Sequence, residues 1–157
     1  MLLTLWHFQK SISLVKDCYY SGINTMNIKI IEAIPSAEEY VQLRNRAGLS
    51  QKAVGTAKKG LPRSLYGVTV RDGKTLVGMG RVIGDGACFF EIVDIAVDPD
   101  YQGYGLGRKI MEHIDGYLSS AAMEGSYVSM IADQPAFYEK RGYKKTAPDA
   151  EGMYKRF

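Results

Sequence analysis

The chain has 157 residues, enough for one domain with a buried core and too few for two full cores. Apolar residues make up 46% and charged residues 24%, so neither a disordered tail nor a membrane protein is the default. Lys and Arg total 20 against 17 Asp and Glu, and the tight basic pairs Lys58-Lys59 and Lys144-Lys145 read as solvated faces, which argues against a nucleic-acid partner.

Residues 1–25 carry no basic residue before their short apolar run and no small-residue cleavage signal, so they do not read as a secretory peptide. No run reaches the roughly 18 apolar residues that a membrane span needs. This stretch is read as a leader, either an upstream addition or an extra helix that packs or dimerises, and residues 26–157 as a single domain. From Met26 the run N-I-K-I-I-E-A alternates as a strand, and Ser36 followed three residues later by Glu39 marks a helix start. Ala37, Tyr40, Val41, Leu43 and Ala47 keep helical spacing up to Gly48, and a weaker helix is expected over 50–59. Strand-like runs follow at 64–71, 75–83 and 87–97, joined by Asp72-Gly73-Lys74 and Gly84-Asp85-Gly86 as antiparallel hairpins. A helix is expected over 105–123 with Ile110, Met111, Ile114, Tyr117 and Leu118 inward, then a strand over 126–132 and a short helix over 135–141. Residues 143–157 are long enough for a closing hairpin. The order is that of a mixed α/β fold, a partly antiparallel sheet flanked by helices.

Cys18 and Cys88 lie far apart, and His7 and His113 have no further ligands near them in sequence, so no metal site is expected. Cys88 reads as buried packing rather than as an acyl-enzyme nucleophile, and the thiol usage fits a reducing, cytoplasmic compartment. His113 is expected at a partly exposed helix surface.

The most informative stretch is Gln102-Gly103-Tyr104-Gly105-Leu106-Gly107-Arg108-Lys109, where glycines alternate as a strand exit becomes a helix start. Backbone amides there lack side-chain cover, and the helix dipole behind them favours a diphosphate with Arg108 or Lys109 at its rim. Alternating glycines also occur in plain turns. The spacing G-x-G-x-G after antiparallel hairpins departs from the dinucleotide pattern, and no G-K-[ST] follows as a P-loop requires.

Together with A-F-Y-E-K-R-G-Y at 136–143, the run D-I-A-V-D-P-D-Y-Q-G-Y-G-L-G-R-K-I-M at 94–111 resembles the two signature blocks of the GNAT family of N-acetyltransferases. The closing G-M-Y-K-R-F and the D-I-A-V start look closest to its small-amine branch, which includes plant-type arylalkylamine acetyltransferases. The resemblance implies a twisted sheet with splayed central parallel strands, acetyl-CoA as co-substrate and no metal. It places the pyrophosphate on the amides of Gln102, Gly103, Tyr104, Gly105, Leu106 and Gly107, with Arg108 at its edge and Phe137 in the second block beside it. The amide-rich pantetheine arm would pair with the backbone of Ile95, Ala96 and Val97. Where family members often carry an Asn, Asp133 stands here. A dimer through the C-terminal strands is common in the family.

Acetyl transfer from a thioester to an amine needs a base for the ammonium, a donor to the oxyanion and an acid for the thiolate. Tyr138 matches the family's general acid. Glu91 and Asp94 are the candidate bases, acting through water; on a regular strand they have opposite parity, so only one faces the site unless a bulge intervenes. The oxyanion is expected on a backbone amide near Ile95. Tyr40, Tyr66 and Phe89 are candidates to line an acceptor pocket. The leading expectation is transfer to a primary amine of a small molecule; the alternative is an acyl-CoA-binding regulatory module without turnover.

Overall fold

The computed structural model describes residues 26–155. The leader expected over 1–25 therefore lies outside the described residues. In chain order the elements are β1 (Ile28–Ile31), α1 (Ala37–Arg46), α2 (Val54–Gly60), β2 (Tyr66–Asp72), β3 (Thr75–Gly84), β4 (Phe89–Val97), α3 (Leu106–Ala121), β5 (Tyr127–Met130) and α4 (Pro135–Glu139). They form a sheet of order β1-β2-β3-β4-β5, antiparallel from β1 to β4 and parallel between β4 and β5.

Local sequence accounts for most boundaries. The Ser36 side chain accepts from the Glu39 amide while the Glu39 carboxylate accepts from the Ser36 amide, so α1 starts where its capping box sits. Glu39 also receives Arg71 from β2 at 2.7 Å, which fastens the helix start to the sheet and holds its carboxyl at about 2. The second helix begins at Val54 rather than near 50, because Ser50 is drawn into a bond with Arg44. In α3 the apolar stripe behaves as its spacing predicts: Ile110, Met111 and Ile114 are fully buried, Leu118 nearly so, and Tyr117 is half-buried at the margin.

The sheet has a core on each face. Val68, Val70, Phe90 and Ile92 pack against α3, while Leu76, Met79 and Ala96 pack against Tyr40 and Leu43 of α1 on the other side. The expected closing hairpin over 143–157 does not form: residues 144–155 contain no strand. Lys144, Lys145, Pro148 and Gly152 interrupt any alternation, and the run stays exposed, so no apolar face offsets the entropy of ordering it. Among the described residues β5 is thus an edge strand, and the parallel pair lies at one side of the sheet rather than at its centre.

Candidate functional site

The pairing of β4 with β5 stops early. Phe89 to Ile92 lie opposite Tyr127 to Met130, and β4 continues to Val97 with no partner strand on that side among the described residues. A gap is left beyond Ile92, and the main chain of Ile95, Ala96 and Val97 forms its free edge. The Val97 carbonyl accepts from Gln102 Nε2 at 3.1 Å, which ties the end of this edge to the following turn.

That turn is open in the way its glycines foretell. Gly103 (φ 82°) and Gly105 (φ 76°) take left-handed conformations that L side chains rarely adopt, and a Cβ at either would meet nothing within 4 Å. Among the described residues no acceptor pairs with the amides from Gly103 to Arg108; the first helical bond is Lys109 to the Gly105 carbonyl. These unpaired amides at the positive end of the α3 dipole fit a diphosphate. Tyr104 is exposed over the turn, and Leu106 is buried beneath it as the anchor of α3. Arg108 stands at the rim, mostly exposed, 3.6 Å from Glu112. A Cβ on Gly107 would lie 3.8 Å from the Phe137 ring and 4.0 Å from Val97, so α4, the end of β4 and the turn converge there.

The bulge that decides the carboxylates is present. Arg81 pairs with Val93 and Met79 with Ala96, which leaves Asp94 and Ile95 together opposite Gly80. Asp94 takes φ 59°. Upstream of it Phe90 and Ile92 face α3; downstream Ile95 and Val97 do. Gly80 permits this, because a Cβ there would come within 2.6 Å of Ile110 and 2.7 Å of Ile95. Glu91, alternating with Phe90 and Ile92, and Asp94 both end on the α1 side of the sheet.

Their surroundings differ. Among the described residues the Glu91 side chain makes no ion pair and is half-buried beside the gap. Asp94 is buried and saturated: Arg81 reaches one oxygen at 2.6 Å, Arg44 binds the other, and the Tyr40 hydroxyl donates at 3.1 Å. Sequence reading missed this cluster. Its signals were an arginine inside the apolar run L-V-G-M-G-R-V-I and another one turn after Tyr40 on the buried face of α1.

Tyr138 follows the gap on α4, packed against the α3-side core, edge-on to Phe137 at 4.9 Å and to Tyr143 at 6.4 Å. Burial, and then the Asp133 carboxylate, raise its phenol above the ordinary value, so it stays protonated at neutral pH. The acid and base candidates therefore flank the gap from opposite faces of the sheet.

Other candidates fall elsewhere. Tyr40 is buried under Asp94, and Tyr66 stacks on Tyr117 at 4.6 Å on the α3 side, where it lines a pocket with Glu32 and His113 on the face opposite Glu91; Phe89 remains, exposed on the α1 side next to Tyr127. Cys88 is exposed in the β3–β4 turn, not buried, because the turn bends around Asp85. His113 is partly exposed, as expected, and bonds Glu32 at 3.1 Å. Among the described residues no cluster of His, Cys, Asp and Glu could hold a metal, and no helix is long and apolar enough to cross a membrane.

Residues 63–145, just over half of the chain, match the family model of the acetyltransferase (GNAT) domain. The chain belongs to the GNAT family of N-acetyltransferases. This GNAT chain is 34% identical over 111 residues to a ycf52-like N-acetyltransferase of Prochlorococcus marinus, covering 67% of the chain and 61% of that relative's length. A solved Staphylococcus aureus structure, a probable acetyltransferase by its description, is 49% identical with a TM-score of 0.79 over 83% of this chain and 99% of that one. The fold alone is shared with N-acetylglutamate synthase from Neisseria gonorrhoeae complexed with coenzyme A and L-arginine, at 16% identity and a TM-score of 0.61 over 80% of this chain and 29% of that one.

Proposed function

We propose that this GNAT acetyltransferase moves the acetyl group of acetyl-CoA to a primary amine of a small molecule by direct attack across the β4–β5 gap. The observation that carries the reading is the gap itself: a free strand edge leading to a turn of uncovered amides, with Glu91 on one face and Tyr138 on the other. Acetyl-CoA supplies the activated thioester. The Gln102 amide, expected among the donors, is already bonded to the Pro99 carbonyl at 3.3 Å, so the turn amides from Gly103 to Gly107, with Arg108 and Phe137, hold the pyrophosphate region, and the edge at Ile95, Ala96 and Val97 pairs with the amides of the pantetheine arm. Glu91, through water, takes the ammonium proton so that the amine can attack the carbonyl carbon. An amide near Ile95 donates to the developing oxyanion, the C–S bond breaks, and Tyr138 gives its proton to the departing sulfur and regains one, through water, as the new amide nitrogen sheds its second proton. Asp94, occupied by two guanidinium groups, is the less available base.

Exposed Phe89 and Tyr127, on the α1 face with Glu91, support an acceptor with an apolar or aromatic body beside its charge. The exposure of Phe89 and Tyr127 also supports a second reading, an amine carried on a polypeptide. The β5 edge, flanked by exposed Tyr127 and Ile131, supports a homodimer, and the exposed Cys88 thiol supports a reducing, cytoplasmic compartment. Free-thiol release with a panel of arylalkylamines, polyamines and peptides tests the central reading: amine-dependent release is expected. Tight acetyl-CoA binding with no release for any amine would contradict it.

A further inference from the structure

The bulge at Asp94 is held by more contacts than a strand needs. Among the described residues Asp94 is the non-glycine residue with positive φ, a conformation that persists only where the surroundings over-determine it. Arg81 gives Nε at 2.8 Å and Nη2 at 2.6 Å to one Asp94 oxygen, Tyr40 donates to the same oxygen, and Arg44 takes the other. Both guanidinium groups are anchored at their far ends, Arg81 on Ser64 Oγ at 2.5 Å and Arg44 on the Ser50 carbonyl at 2.7 Å and its hydroxyl at 2.9 Å. Both lie 5.4 Å from the centre of the Tyr40 ring. Arg44 is 5% and Arg81 9% exposed, so two cations and one anion are buried together.

Such a cluster is a poor device for stability alone, since desolvating the charges offsets most of their attraction and an apolar replacement commonly serves as well. Its position gives it another role. The segment before the bulge, paired with β5, carries Glu91; the segment after it is the free edge Ile95, Ala96 and Val97. The bulge is the joint between them.

We infer that Arg81, Arg44 and Tyr40 are positioning residues that act through Asp94, locking the bulge so that the Glu91 carboxylate and the free edge of β4 meet at the geometry acetyl transfer requires. This rests on the function proposed above. A loosened clamp leaves the glycine turn in place, because the turn is carried by the buried start of α3 and meets β4 only at its far end, at Val97. It lets the two halves of β4 drift, and a misplacement of about 1 Å costs on the order of 10²-fold in turnover.

Tyr40→Phe keeps the ring between the guanidinium groups and Arg81→Lys keeps the charge, so both are expected to fold. Each is measured for kcat and KM with the best amine, for melting temperature, and by amide NMR during titration with coenzyme A. The expected result is a fall in kcat of about 10-fold for Tyr40→Phe and on the order of 10²-fold for Arg81→Lys, with dissociation constants for coenzyme A within about threefold of the parent. Shift changes at residues 103–108 should persist, while those at 95–97 weaken. Asp94→Asn, which tolerates the left-handed backbone, should retain more turnover than Asp94→Ala. Lowered melting temperatures with parent kcat and unchanged shifts at 95–97 would overturn the inference. Absence of amine-dependent turnover in the parent protein would overturn the proposed function instead, and the NMR titration would still decide whether the clamp sets the edge.

Discussion

The glycine turn and the bulge at Asp94 lie at opposite ends of one short free strand edge, and they are built by opposite means. The turn works by absence: glycines at 103 and 105 remove side chains and leave amides without partners. The bulge works by excess, with three side chains from α1 and β3 converging on the carboxylate of one β4 residue. On the proposed function, a local device sets affinity for the diphosphate, and a tertiary one sets the alignment of reacting groups. The two should therefore fail differently under mutation.

The largest expected effect is on the bulge side. Glu91→Gln keeps the shape of the side chain and removes its basicity, so kcat/KM should fall by about 10²-fold or more, with acetyl-CoA affinity preserved. Steady-state kinetics paired with calorimetry checks this, and a loss of affinity would show that Glu91 serves the cofactor edge. On the turn side the pattern should invert. Gly105→Val forces a branched residue into a positive φ and covers the amides, raising the acetyl-CoA dissociation constant by more than tenfold, about 1.4 kcal/mol. At saturation its turnover should approach that of the parent.

A smaller effect separates glycines that look alike in sequence. Gly107 sits inside α3 with ordinary contact distances around its Cβ direction, so Gly107→Ala should change affinity by less than about threefold. A drop comparable to that of Gly105→Val would mean that the diphosphate lies deeper than the uncovered amides indicate.

The smallest effect concerns neither device. Glu39, held at about 2 chiefly by Arg71, has a folded pKa below its ordinary 4.5. Its contribution is fully present above pH 4.5 and is lost as pH falls from 4.5 toward 2. Glu39→Gln should flatten the pH dependence of urea unfolding in that window and leave turnover unchanged near neutrality.

The same contrast explains what could be read in the sequence. The turn, the Ser36–Glu39 cap and the inward stripe of α3 are written in residues a few positions apart, and each appears where its spacing places it. The clamp joins residues 13 and 50 positions apart in sequence, and only the pairing of β3 with β4 and the packing of α1 bring them together. Strand parity alone put Glu91 and Asp94 on opposite faces; the inserted residue, accommodated by Gly80, put them on the same one. The closing hairpin was inferred from chain length without an alternating pattern behind it, and that length carried no information about pairing.

The claim that acetyl transfer runs across the gap, with base and acid on opposite faces, is tested most directly by the pH profile of kcat for the parent and Tyr138→Phe. The substitution keeps the ring against Phe137 and Tyr143 and removes only the hydroxyl. Burial raises the phenol's pKa, so in the parent the donor is present across neutral pH and is lost only on an alkaline limb above its ordinary value of about 10. The account predicts that the variant binds acetyl-CoA as the parent does, turns over on the order of 10²-fold more slowly and lacks that limb. Parent-like turnover with the alkaline limb intact would contradict it and return Tyr138 to the packing of α4.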